Sequence, residues 1–111
     1  MCIRDSIRSA IGDQQSSLFG QACFKPGDTK NTYGTGSFIL TNLGEDPPPI
    51  NDGLLTTVAW KLNSSSPLTY AVEGSIFSTG ATVQWLRDEL GIINKASELE
   101  QLAMDLSLIH I

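Results

Sequence analysis

This sequence predicts a mixed α/β fold of β-hairpins with flanking helices, and three observations carry that reading. Leu18, Phe19, Ala22 and Cys23 recur at helical spacing near the start. Two paired runs of strand-like residues follow, each folded back on itself by a cluster of turn formers. Beyond Gly74 the apolar period returns to that of a helix. A helix, then strands, then helices is an α/β or α+β arrangement, and the hairpins differ from the parallel β-α-β repeat of a Rossmann domain.

In chain order, Asp13 precedes the first apolar period and is expected to cap a short helix. Lys25-Pro26-Gly27-Asp28 ends that segment, as a Pro-Gly pair does. Thr32-Tyr33 and Ser37-Phe38-Ile39-Leu40 flank Gly34-Thr35-Gly36, the pattern of a tight hairpin, with Asn42-Leu43-Gly44 closing its second strand. Residues 45–53, with three consecutive prolines, form an irregular loop. Leu54–Leu62 is the next strand, Asn63-Ser64-Ser65-Ser66-Pro67 turns the chain, and Leu68–Glu73 returns beside it. Val83, Leu86 and Leu90 then mark one face of a helix from near Gly80 to Gly91. Ser97 and Glu100 have the spacing of a capping box before a last helix through Leu102. Strand pairs this few leave edges bare, so neighbouring elements are expected beyond them.

The two ends stand apart. Met1-Cys2-Ile3-Arg4-Asp5-Ser6 and Leu106-Ser107-Leu108-Ile109-His110-Ile111 back-translate into DNA strings that are reverse complements, apart from overhanging bases. They match the transposon end used in preparing sequencing libraries. Residues 1–6 and 106–111 are therefore read as adapter-derived scars, leaving 7–105 for the fold argument. The only histidine, His110, is set aside with them, and so is Cys2. Cys23 is then alone and is expected to be a small core residue, without a disulfide partner or an activating histidine.

The balance of the chain is acidic, with seven Lys and Arg against twelve Asp and Glu, a formal charge of −5. Without a basic patch, nucleic acid is not an expected partner. No apolar run has the length of a membrane span, so a cytoplasmic protein is expected.

Three constellations could carry chemistry. Asp13-Gln14 places a carboxylate beside an amide at a helix start, where backbone N–H dipoles favour the ionised base that accepts a hydroxyl proton. The same aspartate could simply cap the helix. Gly34-Thr35-Gly36 could bring backbone N–H groups and the Thr35 hydroxyl against phosphate oxygens, or be an ordinary turn with glycines at positive φ. It is not a Walker loop, because no Gly-Lys-Ser or Gly-Lys-Thr follows. Gly80 at a helix start would let a ligand approach closely, with Gln84 one turn on along the same face. Trp60 and Trp85 are expected to pack in the core or at its edge, and Asp88, Glu89, Glu98 and Glu100 to lie on solvated helix faces.

The runs Gly12–Gln21, Lys30–Gly36, Asn51–Thr57, Glu73–Phe77 and Gln84–Asp88 resemble, in register, the glycerol kinases of the FGGY family of carbohydrate kinases. The Asp-Gln-Gln and Asn-Thr-Tyr-Gly-Thr-Gly wording separates that group from other sugar kinases of the family. Ser37 departs from it, standing where many relatives carry cysteine; the turn at Asn63–Pro67 is longer and the tail after Asn94 matches weakly. The resemblance implies a partial actin-like ATPase (ribonuclease H-like) fold, with 7–105 the N-terminal part of the family's C-terminal domain. It implies ATP-dependent phosphorylation of glycerol to glycerol 3-phosphate with Mg²⁺, no metal ligand being assignable on this chain. By resemblance Asp13 is the catalytic base and touches glycerol, Gln14 hydrogen-bonds it, and Phe38 packs on its carbons. Thr35 and Gly36 lie by the transferred phosphate, and Gly80 and Gln84 line the nucleotide. The segment alone is expected to be inactive, and a homo-oligomeric parent is left open. Two other readings stand beside this one: another FGGY polyol or sugar kinase, and a non-catalytic α/β binding or structural domain.

Overall fold

A computed structural model describes residues 9–49 and 53–106. The two segments read as scars, 1–6 and 106–111, thus lie outside the described residues except for Leu106, as do Asn51 and Asp52 of the resembling runs. The element order is α1 (Asp13–Gly20), β1 (Thr29–Tyr33), β2 (Ser37–Gly44), β3 (Leu55–Trp60), β4 (Thr69–Ile76), α2 (Gly80–Asp88) and α3 (Glu98–Asp105). The strands form one sheet in the order β1-β2-β4-β3. β3 and β4 pair antiparallel from Leu55 opposite Glu73 to Trp60 opposite Thr69, with an irregularity between Val58 and Trp60. The chain divides into two compact units, one of residues up to Thr32 with Phe38–Ser75, the other of Tyr33–Ser37 with residues from Ile76 on.

In the first unit, Leu18 of α1 is fully buried with Cys23, Leu40, Ala59 and Ala71, and Trp60 packs on this cluster. Cys23 is a buried free thiol, as expected. Phe19 and Phe24 meet Trp60 edge-on, at centroid distances of 5.2 and 6.3 Å, which places Trp60 at the rim of the core. In the second unit Ile93 is buried, Val83 and Leu86 are half-buried, and Leu90 is exposed, so α2 has a shallow apolar face. Trp85 is half exposed and does not join a core. No helix among the described residues is long and apolar enough to cross a membrane.

Local details depart from the sequence expectation in three places. First, α1 stops at Gly20, so Ala22 and Cys23 are not on the helix. Ala22 takes φ +58°, its N–H donates to the Phe19 carbonyl at 2.9 Å, and the Cys23 N–H donates to that of Leu18 at 3.2 Å. That pair of bonds is a Schellman cap with alanine at the left-handed position usually held by glycine. Ala22 is exposed there. Ala22→Gly is therefore expected to stabilise the protein by roughly 1 kcal/mol, read as a rise in Tm. Second, Gly12 rather than Asp13 is the N-cap, and Asp13 is the first helical residue. Third, Ser97 makes no capping bond and is itself helical; Glu98 instead accepts the Asn94 N–H at 2.9 Å, so the capping box does not form.

The turns follow their chemistry. Asn63 Oδ1 accepts the N–H groups of Ser65 and Ser66 at 3.0 and 2.9 Å, and Gly91 at φ +62° follows the end of α2. Asn42 is fully buried in β2. Its Nδ2 donates to the Cys23 carbonyl at 2.9 Å and its Oδ1 accepts the Gly44 N–H at 2.7 Å, tying the end of β2 to the segment after α1. Asn42→Leu would strand both backbone groups and is expected to cost about 2–3 kcal/mol in chemical unfolding.

Candidate functional site

The first unit places Asp13 and Gln14 on the first turn of α1. Asp13 is exposed, and its Oδ1 accepts the Gln14 N–H at 2.8 Å. The next residue, Gln15, turns to the sheet, donating through Nε2 to Thr57 Oγ1 of β3 at 3.1 Å. α1 is thereby fixed to the sheet beside the carboxylate.

Below Gln14 lies a group that the sequence reading did not single out. Lys30 of β1 is 2% exposed. Its Nζ donates to Gln14 Oε1, to Thr32 Oγ1 at 2.7 Å and to the Phe38 carbonyl at 3.4 Å. Three donors meet three acceptors, which is how a buried ammonium is satisfied. Burial lowers the Lys30 pKa below its ordinary 10.5, while the charges of Glu73 and Asp13 oppose that shift. Phe38, at the start of β2, is 36% exposed. Asp13, Gln14 and Phe38 are thus brought to one neighbourhood through Lys30, Gln14 and Phe38 by direct bonds and Asp13 as Gln14's neighbour on α1. The sequence signals for Lys30 were its place at the head of the resembling run Lys30–Gly36 and its position amid strand residues, two before Thr32.

The second unit holds the Gly-Thr-Gly turn and the start of α2. The Gly34 carbonyl accepts the Gly80 N–H at 3.0 Å, and the Thr35 carbonyl accepts those of Thr79 and Ala81 at 2.9 and 3.1 Å. The first donors of α2, which a helix leaves unpaired, are thus capped by the backbone of the turn. Thr79 makes no side-chain cap, its hydroxyl being 2.8 Å from that of the buried Ser37. A serine oxygen forms this short contact where the larger sulfur of a cysteine would need a longer one.

The glycines here are required by proximity. Neither Gly34 nor Gly36 has positive φ, contrary to the ordinary-turn alternative. A Cβ on Gly36 would lie 2.6 Å from the Ile76 carbonyl oxygen, and one on Gly80 would lie 2.7 Å from that of Gly34. What approaches Gly80 is therefore the turn itself. Thr35 and Gln84 are both exposed, and Gly36 is half-buried.

Among the described residues no three His, Cys, Asp or Glu side chains converge to hold a metal ion. An open groove of about 640 Å³ runs along α1 and β3, lined by Ile11, Phe19, Val58 and Trp60 among others. Asp13 and Lys30 do not line it, and it offers apolar surface rather than chemistry.

Residues 29–109 match the FGGY family of carbohydrate kinases, C-terminal domain. The chain is 63% identical over 97 residues to a glycerol kinase of Brucella anthropi, covering 87% of this chain and 19% of that protein. It is 58% identical over 97 residues to a glycerol kinase of Myxococcus xanthus, covering 87% and 20%. The chain thus spans about a fifth of the length of these relatives. Its fold is similar to a crystal structure of Plasmodium falciparum glycerol kinase with ADP, at a TM-score of 0.77 and 42% identity over 85% of this chain and 18% of that one. The α/β class and the partial actin-like architecture expected from the sequence hold on this likeness.

Proposed function

The chain belongs to the FGGY family of carbohydrate kinases, and from that premise we propose that it is the first part of the C-terminal domain of a glycerol kinase. The whole protein transfers the γ-phosphoryl group of ATP to a terminal hydroxyl of glycerol, giving glycerol 3-phosphate and ADP. The observation that carries this reading is the identity of 58–63% with glycerol kinases of two bacteria across most of the chain.

Asp13 takes the proton as the hydroxyl oxygen attacks, a step within reach of an exposed carboxylate on the first turn of a helix. Gln14 donates to a glycerol oxygen and Phe38 covers the carbon chain. Thr35 and Gly36 lie by the transferred phosphate, while Gly80 and Gln84 line the nucleotide. Mg²⁺ would neutralise phosphate charge. Catalysis is mainly positioning and charge stabilisation. A cytoplasmic location belongs to the same reading, since ATP is the phosphoryl donor. Residues 1–6 and 106–111 are foreign to the gene on this proposal.

The test is glycerol 3-phosphate formation by the full-length protein with ATP and Mg²⁺, beside a panel of other polyols and sugars. Dominant turnover of glycerol is expected. Turnover of a different polyol would keep the kinase and remove glycerol, and a well-folded protein that phosphorylates none would overturn the reading. The 111-residue chain alone is expected to be inactive in this assay.

A further inference from the structure

We infer that Lys30 is a positioning residue for the polyol, acting through the Gln14 carboxamide and the Phe38 backbone. This rests on the glycerol kinase reading and adds to it a residue that touches neither substrate.

The argument begins with the two ends of an amide. Gln14 can turn either its oxygen or its nitrogen toward β1, and the two choices offer opposite hydrogen-bonding faces to a substrate. The Lys30 ammonium has only donors. It binds Gln14 Oε1, and a flipped amide would set NH₂ against NH₃⁺. The oxygen is thereby committed to Lys30, and Nε2 is the amide atom left to donate to a hydroxyl oxygen. The same Nζ reaches the Phe38 carbonyl at 3.4 Å, so the residue proposed to cover the carbon chain is tethered to the same cation. Thr32 Oγ1 at 2.7 Å takes the remaining donor and fixes the ammonium within β1. With the side chain 2% exposed, solvent does not compete for these bonds. Burial lowers the Lys30 pKa, and the charges of Glu73 and Asp13 offset part of that shift.

The test is a double-mutant cycle in the full-length protein, with KM measured separately for glycerol and ATP. Lys30→Met is expected to raise the glycerol KM about 10-fold, the effect of losing one oriented hydrogen bond, with the ATP KM changed less than ~2-fold. In a Gln14→Ala background the same substitution should change the glycerol KM by less than ~2-fold, because the group it orients is gone. Equal effects in the two backgrounds, or an equal rise for ATP, would make Lys30 a structural cation only and overturn the inference. Should Lys30→Met fail to fold, Gln14→Glu decides. It keeps an acceptor for Lys30 but has no N–H, so a raised glycerol KM supports the assigned orientation and an unchanged one refutes it. Wild-type turnover separates the two readings. If glycerol is phosphorylated and the cycle is additive, only the role of Lys30 falls; if no polyol is phosphorylated, both do.

Discussion

Asp13→Asn in the full-length protein is expected to lower kcat by at least ~10²-fold while leaving the glycerol KM within a few-fold. The substitution preserves size and keeps a side-chain oxygen for the Gln14 N–H, the bond that Asp13 Oδ1 makes at 2.8 Å. It removes the ability to accept a proton. Because Asp13 is exposed and bonds within its own helix turn, the change does not open a cavity or strand a buried partner. A loss of rate is then a loss of chemistry, and an unchanged thermal midpoint would verify that. Retention of more than a tenth of wild-type turnover would exclude Asp13 as the base, whatever the substrate proves to be.

Gly36→Ala should be the most damaging single-methyl addition in the second unit. The new Cβ would sit 2.6 Å from the Ile76 carbonyl oxygen and 3.1 Å from that of Phe77, both backbone atoms that cannot rotate away. Since Gly36 is not at positive φ, backbone strain is not the cause, and the whole effect comes from this contact. Overpacking of this kind costs about 1–3 kcal/mol. The turn must shift to relieve it, and Thr35, whose carbonyl caps α2, shifts with it. A lowered Tm together with an ATP KM raised about 10-fold is expected. Gly20→Ala is the control: nothing lies within 4 Å of its Cβ, so it should not lower Tm and should leave the ATP KM unchanged. If Gly36→Ala lowers Tm and spares the ATP KM, the turn is a structural joint without a part in nucleotide binding.

Much of the fold could be read from local signals. The Gly-Thr-Gly hairpin and the Asx-type turn at Asn63 each depend on residues within a few positions of one another, so turn chemistry and period suffice to find them, whereas α2 stops at Asp88, short of the expected Gly91. The end of α1 was missed for a related reason. Ala22 continues the apolar period, but a left-handed alanine leaves no mark in a hydrophobic pattern. The capping box at Ser97 does not form because Ser97 is already helical, whereas a capping residue needs an extended backbone.

The sequence by itself determined the α/β class and the order of helices and strands, and it nominated groups that could take a proton or meet a phosphate. Tertiary structure alone decided how those groups are held. Lys30 lies sixteen residues from Gln14, and Ser37 forty-two from Thr79, separations at which no spacing rule operates. Composition marks lysine as a surface residue, yet three acceptors converging from α1, β1 and β2 make its burial tolerable. The need for glycine at position 36 likewise follows from a carbonyl forty residues on, not from the turn it sits in. Local propensity acts through the backbone torsions of neighbouring residues, whereas satisfaction of a buried charge and exclusion of a methyl group depend on atoms that only folding brings into contact.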